Sequence, residues 1–136
     1  MCIRDRYYTP EMSKRARVVE MWAALKYLGK AGIDEMIYEM HERAKEFAKG
    51  IDRIDGFEVL NEVVYNQVIV QCESDEMTLA VMHKIQTLRE CWAGGSTWNG
   101  RKVIRISVCS WATTSEDIQR SIASFEKAYT LSLIHI

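Results

Sequence analysis

Apolar residues recur along this chain with two different periods. From Ile33 the apolar positions are Met36, Ile37, Met40, Ala44, Phe47, Ala48 and Ile51, in steps of three and four. That is one face of a helix. Its opposite face carries Glu35, Glu39, Glu42, Arg43, Lys45, Glu46 and Lys49. This is a solvated face on which Glu39 and Arg43 pair at helical spacing. Upstream, Val18, Val19, Met21, Trp22, Ala23, Ala24, Leu25 and Leu28 are apolar almost all round. A helix of that pattern needs cover on most of its sides. Thr9-Pro10-Glu11 suits its start, Gly29 its C-cap and Gly32 a short break.

Beyond Ile51 the period changes to two. Asp55-Gly56 turns the chain into a short strand, Phe57 to Leu60, and a longer Val/Ile-rich strand is predicted from Val63 to Cys72. A helix starts near Asp75 and turns Met82, Ile85 and Leu88 inward. Asn99-Gly100 is a strong hairpin signal, with Val103 to Ser110 as the return strand. Thr114-Ser115-Glu116-Asp117 resembles a capping box and opens a last helix with Ile118, Ile122 and Phe125 on one face. The order helix, helix, strand, strand, helix, hairpin, helix assembles most simply as an α+β layer, an antiparallel sheet with helices on one face.

Composition narrows the classes. Of 136 residues, 18 are Lys or Arg and 19 Asp or Glu. A net charge of −1 does not suit a chain whose main partner is nucleic acid, because that affinity rests on cations facing phosphates. No apolar run is long enough to span a bilayer, and the N-terminus shows no secretory signal pattern. Cys2, Cys72, Cys91 and Cys109 have no paired spacing, and three His form no cluster with them. That excludes a zinc motif and leaves free thiols of a reducing, cytoplasmic compartment as the expectation.

The two ends read differently from the rest. Residues 1–6, Met-Cys-Ile-Arg-Asp-Arg, and residues 131–136, Leu-Ser-Leu-Ile-His-Ile, back-translate to ATGTGTATAAGAGACAG and CTGTCTCTTATACACATC. These strings are reverse complements over their shared length and resemble a transposase library adapter. The expectation is a reading frame that runs through adapter on both sides of a metagenomic fragment, with residues 7–130 as the natural stretch.

Few residues carry legible chemistry. In the return strand Ile104, Ile106 and Val108 alternate with Val103, Arg105, Ser107 and Cys109. If the Ile/Val face meets the helices, Arg105 leaves on the other. A planar guanidinium there suits a carboxylate; an ordinary surface or interface ion pair fits the spacing equally. Cys91 to Gly100 holds two Trp and three Gly. It reads either as a loop shaped for a ligand or another subunit, or as a hairpin whose Trp side chains fill the core. Cys91 and Cys109 read as core thiols, and His41 and His83 as structural or exposed. No nucleophile–base pair, carboxylate pair, phosphate loop or metal set is present.

Several stretches taken together carry a family resemblance. They are Tyr8-Thr9-Pro10-Glu11-Met12-Ser13-Lys14-Arg15-Ala16-Arg17, Trp22-Ala23-Ala24-Leu25-Lys26-Tyr27-Leu28-Gly29, Gly56-Phe57-Glu58-Val59-Leu60-Asn61 with Asn66-Gln67-Val68, Cys91 to Gly100, and Arg105-Ile106-Ser107-Val108-Cys109-Ser110-Trp111-Ala112-Thr113-Thr114. In this order they resemble the C-terminal part of the group II pyridoxal-phosphate-dependent amino-acid decarboxylases, the family of the aromatic-amino-acid and glutamate enzymes.

The resemblance implies a small C-terminal α+β domain of the aspartate-aminotransferase type. Residues 7–29 would be the end of the large domain with its connecting helix, and residues 30–130 the small domain. It implies a carboxy-lyase acting on an L-amino acid, generally a homodimer, with pyridoxal phosphate held mainly by the part upstream. The family's Schiff-base lysine, phosphate-binding residues and ring-nitrogen aspartate also lie upstream, so no catalytic or cofactor-binding residue falls in this stretch. His83-Lys84 is a mid-helix pair without that motif's surroundings. Arg105 corresponds to the arginine that binds the substrate carboxylate. The Cys91–Gly100 segment differs from the best-known animal enzymes, so their substrate class does not carry over. An aminotransferase or lyase of the same fold, or a stand-alone amino-acid-binding module, are the alternatives.

Overall fold

The computed structural model describes residues 18–134, which fall into two compact units divided between Glu35 and Met36. The proposed helix start at Thr9-Pro10-Glu11 and the adapter-like residues 1–6 and 135–136 lie outside the described residues.

Helix α1 is assigned over Val18–Ile51 but is broken at Gly29, whose φ of 63° and ψ of −175° are non-helical. Only glycine takes up such a conformation without a steric penalty. The sequence predicts a short break at Gly32; that residue instead lies within the helix, and the non-helical residue is Gly29. In the first unit Lys30 pairs with Asp34 along the helix. Val18, Val19, Met21, Trp22, Leu25 and Leu28 are all exposed. The cover that this all-round apolar stretch calls for is therefore not supplied within the described residues.

The second unit is a four-stranded antiparallel sheet with helices on one face. Its strands are β1 (Phe57–Val59), β2 (Gln67–Cys72), β3 (Gly94–Trp98) and β4 (Arg101–Ser107), in the spatial order β1-β2-β4-β3. Helix α2 is Asp75–Leu88 and α3 is Ser115–Leu133. Of the stripe expected on the second helix the C-terminal part is buried, while Ile37 is exposed: Ala44, Phe47, Ala48 and Ile51 join Met77, Val81 and Ile85 of α2 and Ile118, Phe125 and Ala128 of α3. They close over Val68, Val70, Ile104 and Ile106 of the sheet. Each such large apolar side chain contributes about 1.5–3 kcal/mol by leaving water. Phe47 and Phe125 meet edge to face with centroids 5.2 Å apart, which adds about 1 kcal/mol.

Local signals place the elements. Ser74 caps α2 by accepting the Met77 N–H at 3.1 Å. Thr114 and Asp117 form the expected capping box on α3. Asn99 (φ 49°) and Gly100 (φ 82°) both take positive φ, the primed turn that joins β3 to β4. Glu39 and Arg43 pair at 3.1 Å on the solvated helix face.

Two strand boundaries differ from expectation. β2 begins at Gln67, not Val63, and Val64 and Tyr65 are exposed in a loop. β4 ends at Ser107, not Ser110. Side chains supplement the backbone in both places: Asn61 bonds β2, and the Asn66 side-chain amide donates to the Val108 carbonyl at 3.0 Å while the Val108 N–H bonds the Asn66 backbone carbonyl at 2.9 Å. No helix among the described residues is long and apolar enough to cross a membrane.

Candidate functional site

Arg105 owes its position to the pleat of β4. In the ladder Ile104 lies opposite Val70 and Ile106 opposite Val68, and all four side chains are buried under the helices. The residue between them must point the other way. Arg105 does so and is exposed. Its direct neighbours on that far face are Ile69 of β2 and Gly94 of β3. Along its own strand the residues that share the face are Val103 and Ser107. None of the four carries charge. Arg105 makes no hydrogen bond or ion pair with any described residue. The ordinary surface ion pair that the spacing allowed is therefore not formed within the described residues. What stands there is a bare guanidinium fork, five N–H donors in one plane, on an uncharged surround.

The rest of the far face is more closed. Ile69, Gln71 and Val103 are buried, and Arg101 approaches the Gln71 side-chain oxygen at 3.5 Å, a long contact. The strand behind Arg105 is held from the side by Asn61. Its Oδ1 accepts the Ile69 N–H at 2.7 Å and its Nδ2 donates to the Gln67 carbonyl at 3.1 Å. Sequence reasoning gave Asn61 no role. The one signal was an amide side chain just past a strand, a residue type that bonds nearby backbone.

A cleft of about 220 Å³ lies between the end of β4 and α3. Phe47, Ile106, Phe125, Cys91, Cys109 and Asp117 are among its lining residues. Arg105 is not among its lining residues, although Ser107, which shares its face of β4, is. Asp117 is committed to the cap: hydrogen bonds from the Thr114 hydroxyl and backbone hold its carboxyl below the usual range. Burial pushes the Cys91 thiol up. Neither group offers a nucleophile or base.

The thiols only partly match expectation. Cys72 is buried and pushed up to about 12, chiefly by desolvation. Cys91 is half-buried, and Cys109, expected in the core, is exposed because β4 ends before it. Trp92 and Trp98 are exposed as well, so the reading in which they fill the core of this unit is overturned. His41 donates from Nδ1 to the Tyr65 carbonyl at 2.9 Å, a structural role, and His83 is exposed mid-helix. Lys84 beside it sits on α2, which packs on the sheet face opposite to Arg105. Among the described residues no group of His, Cys, Asp or Glu could hold a metal ion.

Comparison with known proteins follows the same line. No family model matches the chain. It is 21% identical over 126 residues to a 3,4-dihydroxyphenylacetaldehyde synthase of Drosophila melanogaster, across 92% of this chain and 25% of that protein. Among solved structures it is similar to TDC of Oryza sativa with PLP and tryptamine, at a TM-score of 0.81 and 19% identity, over 90% of this chain and 28% of the other. It is also similar to the glutamate decarboxylase domain of the diaminobutyrate–pyruvate transaminase and L-2,4-diaminobutyrate decarboxylase of Vibrio parahaemolyticus, at a TM-score of 0.76 and 17% identity, over 93% and 28%. The chain spans about a quarter of the length of the relatives it matches. Its α+β fold is that of the C-terminal portion of these structures, as the resemblance in sequence implied.

Proposed function

We propose that this chain is the C-terminal part of a pyridoxal-phosphate-dependent decarboxylase of L-amino acids, in which Arg105 holds the substrate carboxylate. The observation that carries the reading is Arg105 itself: exposed, without a partner among the described residues, on a domain with the fold of decarboxylase structures. A guanidinium offers a carboxylate two parallel charge-assisted hydrogen bonds. Those bonds orient the substrate. A fork that gripped a departing carboxylate would favour the ground state, because its charge vanishes as CO2 forms. Arg105 thus serves binding and alignment rather than the bond-breaking step.

When bound, pyridoxal phosphate supplies the electron sink for C–C cleavage. The described residues do not fit the cofactor: Lys84 lies on the helix-covered side of the sheet, away from Arg105, and no phosphate cradle accompanies either residue. Its lysine and phosphate contacts belong to the longer chain upstream. The same reading takes residues 7–29 as the end of a large domain and connecting helix, residues 30–130 as the small domain, and the two ends as adapter-derived. The parent is a cytoplasmic homodimer with no nucleic-acid or membrane partner.

The test is the product made by the full-length parent. Each amino acid consumed should yield one CO2 and one amine. The Drosophila relative's name favours a second reading, in which dioxygen acts as oxidant and the products are CO2, an aldehyde, ammonia and hydrogen peroxide. Aldehyde in place of amine would select it, and amino-group transfer without CO2 would reject both.

A further inference from the structure

Two adjacent glycines in β3 have different explanations. Gly95 faces the helices, and a Cβ there would stand 2.8 Å from the Met82 sulfur, so a side chain would have to displace that flexible tip. Gly94 has no such reason. A Cβ there would meet nothing within 4 Å, and its φ is not in the left-handed region. Glycine in a strand gives up backbone entropy and side-chain packing relative to alanine. Neither space nor backbone conformation in the described residues accounts for its presence.

Gly94 lies directly opposite Arg105 in the β3–β4 ladder. Directly opposed residues send their side chains to the same face, with Cβ atoms about 5 Å apart. Any side chain at position 94 would therefore stand beside the guanidinium stem. On its other flank Arg105 has Ile69, which is filled and buried. Open space next to the fork exists on the β3 side alone among its two ladder partners.

We propose that Gly94 is a specificity-determining residue: its missing side chain is the space through which a carboxylate reaches Arg105 in plane with the fork. The inference rests on the reading of Arg105 as a carboxylate site. A β-branched residue at 94 would fill that space while leaving the sheet intact, since strands favour such residues.

The experiment uses the full-length parent and its Gly94→Val, Gly94→Ala and Arg105→Lys variants, titrated calorimetrically with each of the twenty standard L-amino acids. The tightest-binding amino acid should bind at least ten-fold more weakly to Gly94→Val and by a smaller factor to Gly94→Ala, with unfolding temperature unchanged. Combining Gly94→Val with Arg105→Lys should weaken binding little beyond the worse single variant, because both remove one contact. Unchanged affinity in Gly94→Val would overturn the inference, as would losses that multiply in the double variant. A lowered unfolding temperature in Gly94→Val would also overturn it, by making the glycine a packing requirement of the longer chain. Weakened binding in a parent that releases no CO2 would sink the decarboxylase reading and leave Gly94 as gate to a carboxylate site. Failure of all twenty to bind would overturn both.

Discussion

The side chain of Asn61 completes the strand that backs Arg105: its Oδ1 accepts the N–H of Ile69 at 2.7 Å, and Ile69 is the β2 partner of Arg105. The adjoining Leu60 N–H reaches the Ile69 carbonyl at 2.9 Å. An amide thus continues by side chain the pairing that β1 ends by backbone.

Asn61→Ala should therefore loosen β2 locally. Leaving the Ile69 N–H without its acceptor costs about 1–3 kcal/mol. Amide hydrogen exchange should speed up at Ile69. Asn61→Asp keeps the acceptor and should retain most of the protection. Equal protection in Asn61→Ala would show that the bond adds nothing.

Arg105→Lys keeps the charge and loses the fork. In the parent enzyme this should cost roughly 2–4 kcal/mol, about 30- to 1000-fold in kcat/KM. KM should carry at least as much of the loss as kcat. The side chain leaves the core face, so unfolding temperature and cofactor absorbance should stay near the unmodified values. Near-full kcat/KM in Arg105→Lys, or an unfolded Arg105→Ala, would return this residue to a structural role.

Lys84→Ala should leave the parent's cofactor absorbance unchanged, because α2 lies on the other side of the sheet from Arg105. A bleached cofactor band in that variant would mean that the His83-Lys84 pair was misjudged.

The apolar stretch around Trp22 predicts the behaviour of the 136-residue chain by itself. Val18, Met21, Trp22 and Leu25 are exposed on one short helical arm. A contiguous patch of that kind drives association. The chain should self-associate in sedimentation, and Trp22→Lys with Leu25→Glu should shift it toward monomer. A sharp monomer peak for the unmodified chain at high concentration would contradict this.

Glu46 gives a pH dependence. Its carboxylate accepts hydrogen bonds from Ser115 of α3 and, at 2.9 Å, from Gln119, and Arg43 lies 3.3 Å away. The Ser115 bond is foremost in holding its pKa below 4.5, with Gln119 and Arg43 adding and burial opposing. A depressed folded-state value means stability that is present above the unfolded value and lost as pH falls through the folded one. Unfolding temperature should thus fall below about pH 4.5, and Glu46→Gln should flatten that part of the profile. An unchanged acid limb in Glu46→Gln would assign the loss to other carboxylates.

Legibility in the sequence followed how local the cause was. The capping box at Thr114, the turn at Asn99-Gly100 and the stripe from Met40 to Ile51 are short-range patterns, and each stands where it was expected. The alternation around Arg105 also held, since a pleat needs only neighbours. β2 was drawn too early because Val63 and Val64 are β-formers; the bonds from Asn61, a contact across several residues, decide the boundary instead. Hydrophobicity reads Cys109 as core and leaves the two Trp of the 91–100 segment open between core and loop; all three are exposed, with β3 at the sheet edge and β4 ending before Cys109. Gly94 and Gly95 look identical in a sequence. Only the fold shows that one of them meets Met82 and the other meets nothing.

The three described thiols are graded by depth, Cys109 exposed, Cys91 partly covered and Cys72 buried behind a bond between its N–H and the Thr78 hydroxyl. A maleimide applied to the native protein should therefore mark Cys109 within minutes and reach Cys72 only when β2 and α2 part. Mass spectrometry of the two peptides over time would read how often the small sheet opens, without any introduced probe.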